Sequence, residues 1–236
     1  MKKAQFICAF FLFLSNNTFL NPLYNILSYV SAYFSIIPLI IGFYRFRSLK
    51  ENEKIILLLV CFATLTEFVN LFYEYLSISR NISLLNIYSI AEALTISFFY
   101  YRFFESRNFR ILTIVAGSLF LVVSVQQIIT LDRDIMNHVS VTLESVMVTV
   151  FSVLTFHQLL QKSVYSNILN APVFWINSAF LFYFTGTFFL HLFSNYLLMR
   201  SQYGFYELWG FWHSLVNILF LILISIGFWK TQTSQT

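Results

Sequence analysis

ELWGFWHSLVNILFLILISIGFW, residues 207–229, is the stretch whose reading decides the fold. It holds no Lys or Arg until Lys230 ends it, and it is as long as the roughly 20 helical residues needed to cross a hydrocarbon core of about 30 Å. Inside it His213 and Asn217, at i and i+4, share one helical face. The pattern is a membrane crossing with a polar stripe. Six further stretches have the same length and character: 22–44, 54–76, 83–104, 111–130, 139–161 and 173–198. With 58% hydrophobic and 10% charged residues among 236, the chain lacks the polar surface of a soluble fold. The expectation is an all-α polytopic membrane protein, a seven-transmembrane-helix bundle over 22–230 whose first partner is the lipid bilayer.

Charge sets the orientation. Arg45, Arg47, Lys50, Lys54, Arg102, Arg107, Arg110, Lys162 and Lys230 fall on one side of the seven segments, and Arg80, Arg133 and Arg200 on the other. Cytoplasmic loops carry the excess of Lys and Arg, so the C-terminus is expected in the cytoplasm, with 231–236 as a short tail too small to signal or catalyse. The net charge of +4 sits in short loops rather than in a continuous stripe, which argues against a nucleic-acid partner. Cys8 and Cys61 show no metal-like spacing.

Residues 1–21 have a signal-like layout: Lys2 and Lys3, an apolar run Phe6–Leu14, then Ser15-Asn16-Asn17-Thr18. No small-x-small cleavage pattern follows and Cys8 does not lie in a lipoprotein box. Removal and retention as a signal anchor, an eighth short apolar helix over about 4–20, stay open; both keep Lys2 and Lys3 inside.

Helices one to three and five to seven then run in the same sense, the geometry of a parallel 3+1+3 repeat. Thr64–Leu76 slides onto Thr185–Leu197 with Thr64, Thr66, Phe68, Leu71, Phe72, Tyr75 and Leu76 meeting identical residues. Chance in a Phe- and Leu-rich chain gives the same pairs equally well. Pro38 predicts a kink in the first segment, Gly42 offers a packing site nearby, and Pro172 reads as a first-turn proline.

Ionisable groups are costly within a bilayer and mark functional sites. Glu67, Asn70 and Glu74 line one stripe of the second segment; Tyr88 and Glu92 share a face of the third; Ser140 and Glu144 do so in the fifth. Thr187, His191 and Asn195 form a row in the sixth, and His213 and Asn217 in the seventh. Given the orientation, all of them lie between the midplane and the outer face, with Asn25, Tyr29, Gln126 and Gln127 at similar depth. His157 falls near the inner end, where snorkelling suffices. No Lys or Arg lies deep enough to neutralise the carboxylates, so they are protonated or paired with histidine, a bound cation or water.

Three functions fit. One is an outward-facing pocket for a small ligand, used for sensing or transport; sensing would need a membrane signalling partner. The second is an intramembrane metal-dependent hydrolase with Zn²⁺ held by ligands among His191, His213, Glu67 and Glu92, although no HExxH or HxxxH spacing is present. The third is a structural or accessory subunit whose polar network only orders the bundle, with Glu74, Glu207 and His138 at the outer interface. No cofactor is predicted. A retinal protein needs a Schiff-base lysine that 207–229 lacks, sugar and amino-acid carriers of the three-plus-one-plus-three kind carry helix prolines absent here, and seven-helix ceramidase-like hydrolases carry more histidines.

Arg80-Asn81, Leu85-Asn86-Ile87-Tyr88 with Glu92, the run Trp212-His213-Ser214-Leu215-Val216-Asn217-Ile218 and Gly227-Phe228-Trp229-Lys230 resemble uncharacterised seven-helix membrane proteins of Bacteroidota. The resemblance covers parts of two helices. It implies a bacterial inner membrane and no particular activity. In that setting the sequons at Asn16 and Asn81 are incidental.

Overall fold

Along Arg107–Thr130, Thr113, Gly117, Phe120 and Ser124 recur at helical spacing and are buried, while Ile114, Val115, Leu119, Val122 and Ile129 are exposed. Apart from Phe120, the side chains facing the protein are small or polar and the large apolar ones face outward. This inverts the soluble amphipathic helix, as a lipid surroundings requires.

The computed structural model describes residues 20–76, 82–130, 138–161, 168–200 and 202–231. Their regular elements are helical: α1 Leu20–Phe34, α2 Ile36–Tyr44, α3 Glu51–Tyr75, α4 Ile82–Phe103, α5 Arg107–Thr130, α6 His138–Gln161, a 3₁₀ turn Ile168–Asn170, α7 Pro172–Arg200 and α8 Gln202–Lys230. The signal-like segment with Cys8 and Asn16, the Arg80-Asn81 pair, Arg133, Lys162 and the tail 232–236 lie outside the described residues. Six helical stretches are long and apolar enough to cross a membrane: Ile26–Tyr44, Glu51–Tyr73, Arg107–Thr130, Val139–Gln161, Pro172–Phe193 and Trp209–Lys230. The expected all-α polytopic bundle is therefore observed.

The seventh expected crossing, α4, has 22 residues, enough for a span by length, but is not among the six. From α2 onward each helix packs on the next in chain order, and α8 returns to α1 and α2, closing a ring; α4 contacts α6 as well as α3 and α5. Phe99 and Tyr100 of α4 also touch Phe180 of α7, at ring centroids 6.0 and 6.1 Å apart. A helix covered by so many neighbours can carry Asn86, Ser89, Glu92, Ser97 and Tyr100 without presenting them to lipid.

The first crossing is divided at Ser35. Pro38 has no amide hydrogen for the Phe34 carbonyl, and its ring crowds that oxygen, so the ladder breaks one turn before it. Ser35 compensates: its amide and its hydroxyl both donate to Ala32 O, at 3.3 and 2.6 Å. Gly42 also bears out its packing role, because a Cβ there would collide with the Leu57 side chain. Pro172 is the first residue of α7. At Gly227 an added Cβ would lie 2.8 Å from Ile176 Cγ1, so the absence of a side chain lets α8 close on the start of α7.

Two anchors fasten the end of the bundle where α2, α3 and α8 meet. Glu53, 2% exposed, accepts from the Lys50 amide at 2.8 Å, the returning half of a capping box, and from Thr231 Oγ1 at 3.2 Å. Arg45, also buried, places its guanidinium 4.5 Å from the Trp229 ring centroid.

A polar knot lies in the core next to this end. Tyr100, Ser152 and Asn177 are fully buried. Tyr100 donates to Asn177 Oδ1 at 2.9 Å, so its contact with Ser152 Oγ at 2.8 Å makes Ser152 the donor there. Asn177 Nδ2 donates to Ser152 O at 3.0 Å. Three helices, α4, α6 and α7, are joined with each of these groups satisfied, inside a shell of Phe99, Phe104, Phe151 and Phe180.

Candidate functional site

A second polar assembly lies one to three helical turns further toward the opposite end. On α4, Tyr88 and Glu92 stand at i and i+4 and their side chains are hydrogen-bonded to each other. Between them Ser89 reaches across to α6, donating to Glu144 Oε2 at 2.8 Å. Glu144 is 1% exposed, and its other oxygen, Oε1, is buried with no hydrogen-bond partner. Glu92 and Glu144 lie within electrostatic reach of each other.

Tyr183 on α7 connects this pair to the rest. It feels the charges of Glu92, Glu67 and Glu144, and its hydroxyl lies 3.1 Å from His213 Nε2 on α8. Which of the two donates depends on the imidazole tautomer. The Trp209 ring stacks on His213 at 5.8 Å with an interplanar angle of 11°, and it meets His191 edge-on at 4.7 Å. Side chains of α3, α4, α6, α7 and α8 thus meet around Tyr183.

No family model, no curated protein and no solved structure matches this chain.

Of the residues singled out by spacing, Tyr88, Glu92, Glu144 and His213 are joined directly to this assembly, Glu67 through its field at Tyr183, and His191 through Trp209. Asn70 follows Glu67 by one turn and has a buried Oδ1 without a partner. Thr187 is 1% exposed, but its hydroxyl returns to the Tyr183 carbonyl at 2.8 Å, an ordinary helix back-bond. The side chains of Glu74, Asn195, His138 and Glu207 lie outside the described ones. Ser140 donates to Gln127 Oε1 at 3.1 Å, linking α5 and α6 beside the assembly, and Gln126 is exposed. His157 is exposed, in keeping with its separation from the set.

Asn217 takes a different part. Its amide donates to Ser31 Oγ on α1 at 2.9 Å, so it ties α8 to α1. Asn217→Ala is expected to cost about 1 kcal/mol, the usual worth of an interhelical hydrogen bond in a bilayer, and to leave ligand binding unchanged. Unfolding in mixed micelles, set beside a binding assay, checks both halves.

Three members were missed by the sequence reading. Tyr183 extends the Thr187–His191 row by one turn, Trp209 extends the His213–Asn217 row by one turn, and Ser89 sits inside the Tyr88–Glu92 pair. Following each row one turn further would have found the first two.

Chemically, the assembly offers two adjacent carboxylates, a tyrosine–histidine pair and an aromatic wall. Among the described residues, no group of three or more His, Cys, Asp and Glu side chains comes together as a metal-ligand set.

Proposed function

We propose that this chain is a bacterial inner-membrane protein, crossing seven times with its C-terminus in the cytoplasm. In this reading α4 is the seventh crossing and the assembly around Tyr183 is an outward-facing pocket for a small ligand, used for sensing or transport. The observation that carries the proposal is the convergence of costly polar side chains from five helices, with a carboxylate oxygen left open among them. A network that only orders helices closes its hydrogen bonds, as the Tyr100–Ser152–Asn177 knot does; this one leaves Glu144 Oε1 without a partner. Sensing requires a membrane partner to carry the signal, whereas transport requires a second opening past that knot.

The test is side-specific thiol labelling in a background where Cys8 and Cys61 are replaced by serine. His213→Cys is expected to react with a membrane-impermeant thiol reagent added from outside the inner membrane, and Ser152→Cys to stay unmodified. A green fluorescent protein fused after Thr236 should fluoresce, while alkaline phosphatase fused at the same place should be inactive. An unreactive His213→Cys would remove the pocket, and an active phosphatase would reverse the topology.

A further inference from the structure

We infer that the ligand of this pocket is a small primary or secondary alkylammonium, its head held between Glu92 and Glu144 and its carbon chain against the rings of Tyr88, Tyr183 and Trp209. The inference rests on the pocket reading above and adds the chemical class of the ligand.

Three independent observations lead to it. The first is charge. Glu92 and Glu144 are neighbours, and among the described residues no lysine or arginine contributes to the field at either of them. The described salt bridge is far away, between Lys54 and Glu51 at the start of α3. Two carboxylates in a low-dielectric interior do not both stay ionised alone; they take up a proton or hold a positive charge between them, and a cationic ligand supplies the second.

The second is the kind of hydrogen-bonding group left open. Glu144 Oε1 is an acceptor, buried and without a partner. Two nearby donors are spent, Ser89 on Glu144 Oε2 and Tyr88 on Glu92. A ligand that completes the site must therefore bring N–H or O–H groups. That separates a primary or secondary ammonium from a quaternary one, which has no hydrogen to give.

The third is the wall. Tyr183 stands edge-on to His213, with centroids 5.9 Å apart, and the Trp209 ring stacks on the same imidazole. Aromatic faces favour organic cations and accept their alkyl chains. A bare alkali or alkaline-earth ion would take oxygen ligands alone and leave the apolar part of this wall unused.

The probe is propylammonium chloride added to the purified full chain in detergent, compared with 1-propanol, tetramethylammonium chloride and sodium chloride at equal ionic strength. Propylammonium is expected to raise the unfolding midpoint with the logarithm of its concentration above Kd, shifting the folding equilibrium about elevenfold at ten times its Kd. Neither propanol nor sodium should do so, and tetramethylammonium should be at least tenfold weaker. In Glu144→Gln the propylammonium response should fall by tenfold or more. Equal stabilisation by propanol would overturn the inference in favour of an uncharged ligand, and equal stabilisation by sodium would overturn it in favour of an inorganic cation. If His213→Cys reacts from outside and propylammonium gives no shift, the alkylammonium is wrong and the pocket stands. If His213→Cys is unreactive, the pocket itself has failed. The comparison of propylammonium with propanol uses the unsubstituted chain, so a Glu144→Gln protein that folds poorly does not spare the idea.

Discussion

Tyr100→Ala is expected to lower the stability of the bundle by about 4 kcal/mol, in the range for truncating a large buried aromatic side chain. Its ring lies 5.2 to 6.1 Å, centroid to centroid, from Phe99, Phe104, Phe151 and Phe180, and the residue is fully buried. Removal opens a cavity shared by α4, α6 and α7 and strands Asn177 Oδ1, which has accepted the phenol hydrogen. Tyr100→Phe keeps the ring and removes only the hydroxyl, so it should cost about 1 kcal/mol, the net worth of such hydrogen bonds between membrane helices. Reversible unfolding in mixed micelles measures both. The ratio of the two losses is diagnostic. If Phe costs as much as Ala, the hydrogen bonds hold the three helices and the aromatic shell is filler; if Phe costs nothing, packing holds them alone.

What the sequence revealed, and what it did not, follows from the physics of each element. Length was legible because bilayer thickness fixes it: the expected 54–76 is α3 at Glu51–Tyr75, and 173–198 is α7 at Pro172–Arg200. The division of 22–44 at Ser35 was foreshadowed by Pro38, though a proline marks the break one turn after it occurs. The carboxylates and histidines were legible because each is expensive in lipid and so conspicuous. Tyr183 and Trp209 were not, since an aromatic ring reads as apolar wall until a neighbour engages its polar tip. The Tyr100–Ser152–Asn177 knot was invisible for a related reason: neutral hydroxyl and amide groups are common in membrane helices, and nothing in their spacing ties α4 to α6 and α7. Asn217 illustrates the opposite error. It shares a face with His213 in sequence, yet the roughly 40° by which four residues overshoot one turn, with a rise of about 6 Å along α8, are enough to send it to Ser31 on α1.

Glu144→Met is expected to make the protein more stable, by about 2 kcal/mol, although Glu144 is 1% exposed and among the most completely buried polar residues. A buried carboxylate with one oxygen unpartnered and a second carboxylate beside it stabilises nothing that an apolar side chain of the same length would not. Methionine fills the volume, ends the repulsion from Glu92 and releases Ser89, whose hydroxyl can turn back to its own helix as Thr95 does on Ala91 O. The sign is opposite to that for Tyr100, and the contrast tests the division of the interior into two polar layers. Groups kept for the fold lose stability when removed, and groups kept for a ligand return it, because the site was held in an unfavourable state for the sake of binding. Unfolding midpoints of the two variants, measured in the same micelles without added amine, decide the matter. A Glu144→Met protein less stable than the parent would assign the carboxylate to the architecture of α4 and α6. A more stable one that no longer responds to propylammonium would mark Glu144 as the residue for which the bundle gives up stability in order to bind.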